Sequence, residues 1–205
     1  LQAGDRMTTL PADDPIVRFQ SLLDRAMQIP REQLPEPTAF ALGTVDATGQ
    51  PSVRIVLLKD VDARGFVFYT NFESRKGREI MVTRRAAMCF HWQLLEEQVR
   101  VEGRVEPVSD AEADAYFASR ARGSQIGAWA SIQSRPMQSA SDLDTRVAEM
   151  EQKFAGGPVP RPPNWSGFRV APERIEFWKN MPSRLHVRHL YTRSGDTWKV
   201  ELLYP

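Results

Sequence analysis

Cysteine is almost missing from this chain of 205 residues: Cys89 stands alone. A single thiol cannot close an intrachain disulfide, and there is no second cysteine to share a zinc ion or a redox pair with it. A reducing, cytoplasmic setting is therefore expected. Long apolar runs are lacking too. Nowhere do about 18 apolar residues follow one another, so no ordinary membrane-spanning helix is expected, nor is a secretory leader with its apolar stretch. Residues 1–13 are expected to form an amino-terminal tail, with Leu1 to Arg6 an appended remnant ahead of Met7, followed by a single domain over 14–205.

An excess of either charge is also missing, since 27 Lys and Arg face 26 Asp and Glu for a net charge of +1. Proteins that hold nucleic acid or anionic membranes by neutralising many phosphates carry a clear basic surplus, and that class is excluded here. Chemical signatures are few. No GxGxxG, GxxxxGK[ST] or GxSxG string occurs, which removes the usual support for a Rossmann, P-loop or serine-hydrolase reading. The three histidines, His91, His186 and His189, come without a Cys pair or HExxH spacing, so no metal site is expected.

What is present is a patterned soluble chain. Its hydrophobic share of 41% against 26% charged is that of a globular domain. Asp14-Pro15 has the form of a helix cap followed by a first-turn proline. Phe19, Leu22, Leu23, Ala26 and Met27 then repeat at the spacing of a buried helical face. Strands are expected over 39–45, 52–59 and 65–71, the first two joined through a turn containing Gly49. Ser74 can cap a helix to Val82, and strands follow over 86–92 and 98–105. Ser109 to Glu112 has the form of a capping box opening a helix to about Arg120. Leu143, Val147, Met150 and Phe154 mark a further helix, stopped at Gly156-Gly157, and four prolines within 158–163 suit an extended connector. Strands over 167–170, 174–178, 188–192 and 197–203 complete the order. With no regular βαβ alternation, the fold class is α+β, a mainly antiparallel barrel or sandwich with peripheral helices.

Three segments are hard to explain by structure alone. Arg75, Lys76 and Arg78 crowd the first turn of a helix, where the macrodipole favours anions. A bound phosphate would reverse that conflict, while an exposed basic turn is the plainer alternative. Residues 116–140 contain Arg120, Arg122 and Arg135 but no acid, and carry hydroxyls and amides from Ser124 to Ser134 that suit either a polar ligand or a solvated loop. Residues 177–195 hold Lys179, Arg184, Arg188 and Arg193 with two histidines, again without an acid. In an extended chain Arg184, His186 and Arg188 would share one face, suiting an anionic partner or an edge strand guarded by charge.

These strings together resemble the pyridoxamine 5′-phosphate oxidase family. The resemblance rests on Arg54-Ile-Val-Leu-Leu-Lys59, Phe68-Tyr-Thr-Asn71, Ser74-Arg-Lys-Gly77, Gln98-Val-Arg-Val-Glu-Gly103 and Tyr116-Phe with Ser119-Arg120. It continues through Ser124-Gln-Ile-Gly-Ala-Trp129, Gln133-Ser134, Glu176-Phe-Trp178 and Arg184-Leu-His186. It implies an FMN-binding split β-barrel, a homodimer with FMN at the subunit interface, and oxidation of pyridoxamine or pyridoxine 5′-phosphate to pyridoxal 5′-phosphate by O2 with release of H2O2. By resemblance FMN would contact Arg54, Ile55, Val56, Leu57, Leu58 and Lys59, then Tyr69, Thr70, Arg75 and Lys76. Gln98, Gln133, Ser134, Trp178 and Arg188 would complete that site. Lys59, Tyr116, Arg120 and Ser124 would hold the substrate phosphate, while Arg184, Leu185 and His186 would bind its ring, with Arg184 and His186 in the catalytic positions.

The chain departs from the family pattern at several points. Val187 stands where an acid is usual, which would leave Arg188 without an orienting partner. Lys179-Asn-Met-Pro182 replaces a Gln-Gly loop opening, and Glu97 stands where a base often precedes Gln98. Two other readings stay open: a split-barrel flavin oxidase of secondary metabolism, and a non-catalytic protein that binds FMN or pyridoxal phosphate.

Overall fold

The computed structural model describes residues 14–205, so the expected tail over 1–13 lies outside the described residues. Helix α1 (Pro15–Met27) begins as its cap requires, with the Asp14 carboxylate accepting the Ile16 N–H at 2.7 Å. It buries Ile16, Phe19, Leu22 and Ala26. Met27, expected on that face, is 55% exposed: it is the last helical residue, and Ala26 takes the inward position.

Nine strands follow: β1 (Ala39–Val45), β2 (Pro51–Leu57), β3 (Asp60–Asp62), β4 (Gly65–Asn71), β5 (Arg85–Trp92), β6 (Glu97–Pro107), β7 (Trp165–Lys179), β8 (Val187–Ser194) and β9 (Thr197–Leu203). Every pairing is antiparallel, in the order β2-β1-β5-β6-β7-β4-β3, with β8 and β9 added beside β7. The remaining helices are α2 (Arg75–Thr83), α3 (Asp110–Ser119), α4 (Arg122–Ala130) and α5 (Ser141–Lys153).

The sheet is rolled, and two observations require it. Phe40 of β1 meets Phe68 of β4 at a ring separation of 5.9 Å, although β5, β6 and β7 stand between those strands in the sheet order. A flat sheet with strands spaced about 4.8 Å apart would hold them roughly 19 Å apart. The chain itself closes the roll just after β2. The Leu58 N–H donates to Thr38 O at 2.9 Å, beside the β1–β2 edge, and the next amide, Lys59 N–H, donates to Val67 O of β4 at 2.9 Å. Helix α1 plugs the roll: the Phe19 ring touches Phe66 of β4 at 4.8 Å and Phe90 of β5 at 4.9 Å.

The sequence pattern over 167–178 suggests two strands, yet β7 runs unbroken from Trp165 to Lys179. The register against β6 shifts between Glu102 and Gly103, so Glu173 bulges out and Pro172, which lacks an N–H, is tolerated beside it. Gly103 is needed opposite, because a Cβ there would lie 2.0 Å from Ala171 O. This long strand serves two neighbours in turn, β4 along its first half and β8 along its second.

Helices α3, α4 and α5 form a second layer around Phe117, Ile126, Val159 and Trp165, on which Val147, Met150 and Phe154 pack. What pins α3 is Arg169 of β7, only 3% exposed. It donates to Asp62 Oδ1 at 2.8 Å and Glu112 Oε1 at 2.9 Å. Glu112 also completes the capping box with Ser109. Hydrogen bonds from the Ser109 amide and hydroxyl, helped by Arg169, hold the Glu112 carboxyl down at about 2.

Replacing Arg169 with Met should therefore cost about 2 kcal/mol in urea unfolding, the worth of its charge-assisted hydrogen bonds, since Arg64 Nη2 still partners Asp62 at 2.7 Å and Glu112 at 3.2 Å. Glu112 adds a pH signature. Its folded pKa lies below the ordinary 4.5, so its contribution is complete above pH 4.5 and is lost as pH falls toward 2. The urea midpoint should fall over that window, and less steeply in Glu112→Gln. Identical acid profiles for the two proteins would contradict this account.

Candidate functional site

The closure that brings β2 against β4 also opens a cavity of about 500 Å³ beside it, within the range of small-molecule sites. Arg54, Ile55, Val56 and Leu57 reach it from β2, and Lys59 from the crossing that follows. Tyr69, Thr70 and Asn71 come from β4 and Lys76 from α2. Tyr116 and Arg120 lie at the end of α3, with Ser124, Gly127 and Ala128 on α4. Ser131, Gln133 and Trp165 complete the wall. Four cations line the cavity and no Asp or Glu does.

The α2 end of the cavity is prepared for an anion. Ser74 caps the helix by accepting the Gly77 N–H at 3.2 Å, and a Cβ on Gly77 would lie 2.3 Å from Phe72 O, so only glycine lets α2 start this close to β4. Lys76 Nζ donates to Gln133 Oε1 at 3.0 Å and Thr70 Oγ1 at 3.3 Å, neutral acceptors that leave its charge uncompensated. Burial, then Arg54 nearby, pushes the Lys76 ammonium below its usual range. Arg75 donates its backbone N–H to Ser134 Oγ at 3.2 Å, while its guanidinium turns to Glu79 Oε1 at 2.8 Å.

The opposite end is aromatic and cationic. Tyr69 stacks on Tyr116 at 4.0 Å and lies nearly parallel to Trp165 at 5.5 Å. Its cross-strand partner is Gly167, where a Cβ would come 2.7 Å from the Tyr69 ring. The Arg120 guanidinium sits 4.7 Å from the Trp165 ring, and its buried Nη1 has no hydrogen-bond partner among the described residues. A buried charged donor without an acceptor is costly, and an anionic oxygen would suit this one. Burial lowers the Arg120 pKa and raises those of Tyr69 and Tyr116, keeping both phenols protonated donors at neutral pH.

The expected site residues divide into two sets. All of Arg54 to Leu57, Lys59, Tyr69, Thr70, Lys76, Tyr116, Arg120, Ser124 and Gln133 line the cavity. Leu58 is turned into the core at 4% exposure, and Arg75 and Ser134 bond to each other beside the cavity. Gln98, Trp178, Arg184, Leu185, His186 and Arg188 are not part of its wall. Gln98, Trp178 and Arg188 instead form one cross-strand row over β6, β7 and β8. Val187 does not leave Arg188 unoriented. Glu176 of the neighbouring strand accepts from Arg188 Nε at 2.7 Å, and Tyr204 O accepts from Nη1 at 2.8 Å.

Arg184, His186 and Arg188 do not share an extended face. Residues Pro182–Arg184 form a 3-10 turn in which Ser183 and Arg184 adopt φ of 59° and 60°, and strand β8 begins only at Val187. His186 packs on Trp178 at 4.5 Å and accepts the Met181 N–H at Nδ1, 3.3 Å away. Ser131, in the hydroxyl-rich segment 124–134, also lines the cavity, as do Asn71, Gly127, Ala128 and Trp165, to which the sequence assigns no site role: Asn71 adds a polar amide and the other three small or apolar wall. Glu79, behind the cavity, was passed over as well. With no carboxylate or imidazole inside, the cavity can bind and orient a polyanionic, planar ligand but brings no general base of its own.

Residues 30–179 match the family model described as pyridoxamine 5′-phosphate oxidase, and residues 165–205 that of the pyridoxine 5′-phosphate oxidase C-terminal dimerisation region. A curated relative from Myxococcus xanthus (strain DK1622), named pyridoxine/pyridoxamine 5′-phosphate oxidase, is 62% identical over 94% of this chain and 92% of its own. One of the same name from Anaeromyxobacter dehalogenans (strain 2CP-C) is 56% identical over 95% of this chain and 96% of its own. Among solved structures, PhzG from Burkholderia lata 383 in complex with tetrahydrophenazine-1-carboxylic acid superposes with a TM-score of 0.86 at 31% identity, covering 95% of this chain and 94% of that one. A pyridoxamine 5′-phosphate oxidase-related, FMN binding protein from Nostoc punctiforme PCC 73102 superposes at 0.73 with 16% identity over 96% and 100% of the two chains, a likeness of fold. The rolled antiparallel sheet with peripheral helices is the split β-barrel expected from the sequence.

Proposed function

Because the chain belongs to the pyridoxamine 5′-phosphate oxidase family, we propose that it is an FMN-dependent oxidase that converts pyridoxamine or pyridoxine 5′-phosphate to pyridoxal 5′-phosphate. The observation that carries this reading is a cavity with four cations and, among the described residues, no acid in its wall and no hydrogen-bond partner for Arg120 Nη1. Such a wall suits two phosphates, one at each end. At the α2 end Arg54, Arg75 and Lys76, with Thr70, Gln133 and Ser134, fit the phosphate of FMN. At the other end Lys59, Tyr116, Arg120 and Ser124 offer two cations and two hydroxyls to the phosphate of the substrate. When bound, FMN would supply the two-electron redox chemistry, hydride acceptance from substrate C4′ and reoxidation by O2 to H2O2.

The chain's own work is positioning. Anchoring the substrate phosphate at Arg120 fixes the reach from that end of the cavity to C4′, and Tyr69 and Tyr116 exclude water along one wall. Gln98, Trp178, Arg184, Leu185, His186 and Arg188 lie off this cavity, and we assign them to the cavity of a partner subunit in a homodimer. The match of residues 165–205 to a dimerisation region supports that assignment. In the neutral imidazole, His186 Nδ1 accepts from Met181, so the proton sits on Nε2, and Nε2–H is the group that would donate a hydrogen bond to substrate. The amine substrate leaves as an imine that water hydrolyses to the aldehyde and ammonia, whereas the alcohol is oxidised directly.

The likeness to PhzG favours a second reading, a flavin oxidase acting on a tricyclic carboxylate. Substrate tests separate the two. The FMN-loaded protein, given pyridoxine 5′-phosphate in air, should release pyridoxal 5′-phosphate and H2O2 in equal amounts. No turnover of the phosphate, together with oxidation of tetrahydrophenazine-1-carboxylic acid, would replace this proposal with the second reading. No turnover of either would favour a binding protein.

Arg120→Met should raise KM for pyridoxine 5′-phosphate by about tenfold or more, the worth of a charge-assisted hydrogen bond. Turnover of unphosphorylated pyridoxine, measured at high concentration in both proteins, should be unchanged by it. An equal loss with both substrates would remove Arg120 from the phosphate site.

A further inference from the structure

Glu79 is an acid buried to 6% exposure behind the α2 end of the cavity, and both of its carboxylate oxygens accept hydrogen bonds. Its Oε1 accepts from Arg75 Nε at 2.8 Å. Its Oε2 accepts from Thr44 Oγ1 at 2.5 Å and Ser52 Oγ at 2.7 Å, and Arg54 Nη2 lies 3.5 Å away. Arg54 is tied into the same group: it donates to Ser52 Oγ at 2.5 Å, to Leu42 O at 3.2 Å and to Thr44 Oγ1. One carboxylate thus joins β1, β2 and α2 and holds two guanidiniums together.

Helix stability does not explain the arrangement. Arg at i with Glu at i+4 is the poorer order for an isolated helix, and cations in the first turn oppose the macrodipole. Burial alone would push the Glu79 carboxyl up, but the hydrogen bonds from Thr44, Ser52 and Arg75 outweigh it and hold it at about 2, ionised at any working pH. Around this single negative charge stand Arg54, Arg75 and Lys76. Three cations and one acid leave a net of two positive charges, the complement of a phosphate monoester dianion.

We infer that Glu79 is a positioning residue: by fixing Arg54 and Arg75 beside Lys76 it sets the preference of the cofactor site for a phosphorylated flavin. The inference rests on the proposed FMN reading. Without Glu79 the two guanidiniums repel each other, lose their shared anchor and turn toward solvent. A ligand lacking the phosphate loses nothing by this.

The test is binding of FMN and of riboflavin to the apoprotein, followed by quenching of flavin fluorescence. Wild type should bind FMN at least about a hundredfold more tightly than riboflavin. Glu79→Gln, nearly isosteric, should weaken FMN by about tenfold or more and change riboflavin less than about threefold. Arg75→Gln with Glu79→Gln should lose less than the sum of the two single losses, because the acid acts in part through Arg75; full additivity would reject that route. Equal weakening of both flavins would mean that Glu79 merely supports the fold, and an unchanged or tighter affinity for FMN would also overturn the inference. If Glu79→Gln fails to fold, Ser52→Ala carries the same comparison: a selective loss for FMN supports the positioning role and a uniform effect rejects it. A wild type that binds both flavins alike overturns the underlying FMN reading at its source, and the inference with it.

Discussion

The structure depends on a single crossing. Two consecutive amides, Leu58 and Lys59, donate to opposite ends of the strand order, one beside β1 and the other on β4. That pair of bonds turns a nine-stranded sheet into a roll, encloses Phe19, Phe40, Phe68 and Phe90 in one core, and sets β2 against β4. The cavity is a consequence of the same step. Leu58 faces the core while its neighbours Leu57 and Lys59 line the cavity, so the residue that seals the barrel and those that meet a ligand are adjacent in the chain. Such economy ties stability to function, because loosening the crossing would both open the core and move Lys59.

Charge is then distributed by a simple division. Acids that pair with bases are kept behind or away from the cavity: Glu79 with Arg54 and Arg75, Glu112 and Asp62 with Arg169, Glu176 with Arg188 and Arg100. Of the bases inside the cavity, Arg54 meets an acid only behind the wall, at Glu79, while Lys76 has neutral partners and Arg120 Nη1 has none among the described residues. Leaving Arg120 Nη1 unpaired and crowding cations at the start of α2 both work against the stability of the free protein. On the proposed function, two phosphates in the cavity would offset both costs together. The balanced net charge of +1 conceals this separation.

Local signals in the sequence carried far. The Asp14-Pro15 start, the Ser109 to Glu112 capping box and the Gly49 turn are read from neighbours a few residues apart, and each forms as expected. Helix α4 was hidden because it has no side-chain cap, no acid in its first turn and two glycines, so neither propensity nor dipole points to it. Pro172 made β7 look like two strands, since a bulge at Glu173 is a property of the pairing and not of the segment. In the site, the strings that meet the cavity were legible as strings. The role of Glu79 was not, for it depends on Thr44 and Ser52, which lie 35 and 27 residues away and come together only through the β1–β2 hairpin.

The segment after β7 illustrates how one requirement can be met from a different direction. A strand residue orients its neighbour poorly, because side chains at successive positions point to opposite faces. An acid at 187 would face away from Arg188, whereas Glu176 lies two residues before Trp178, on the face that Trp178 shares with Arg188. Its bond to Arg188 Nε leaves the guanidinium held at two points, by Glu176 and by Tyr204 O. The loss of an acid at 187 is therefore tolerable. Val187 instead borders the α1 side of the sheet with Lys179 and His189. The turn that carries Arg184 is costlier, with two consecutive residues in left-handed backbone where neither is glycine. Strain of that kind persists only when both sides of the turn are fixed. They are fixed here, by the Met181 N–H on His186 Nδ1 and by the packing of His186 against Trp178. Arg184 and His186 are consequently carried on a turn fixed against Trp178, whose cross-strand neighbour is Arg188.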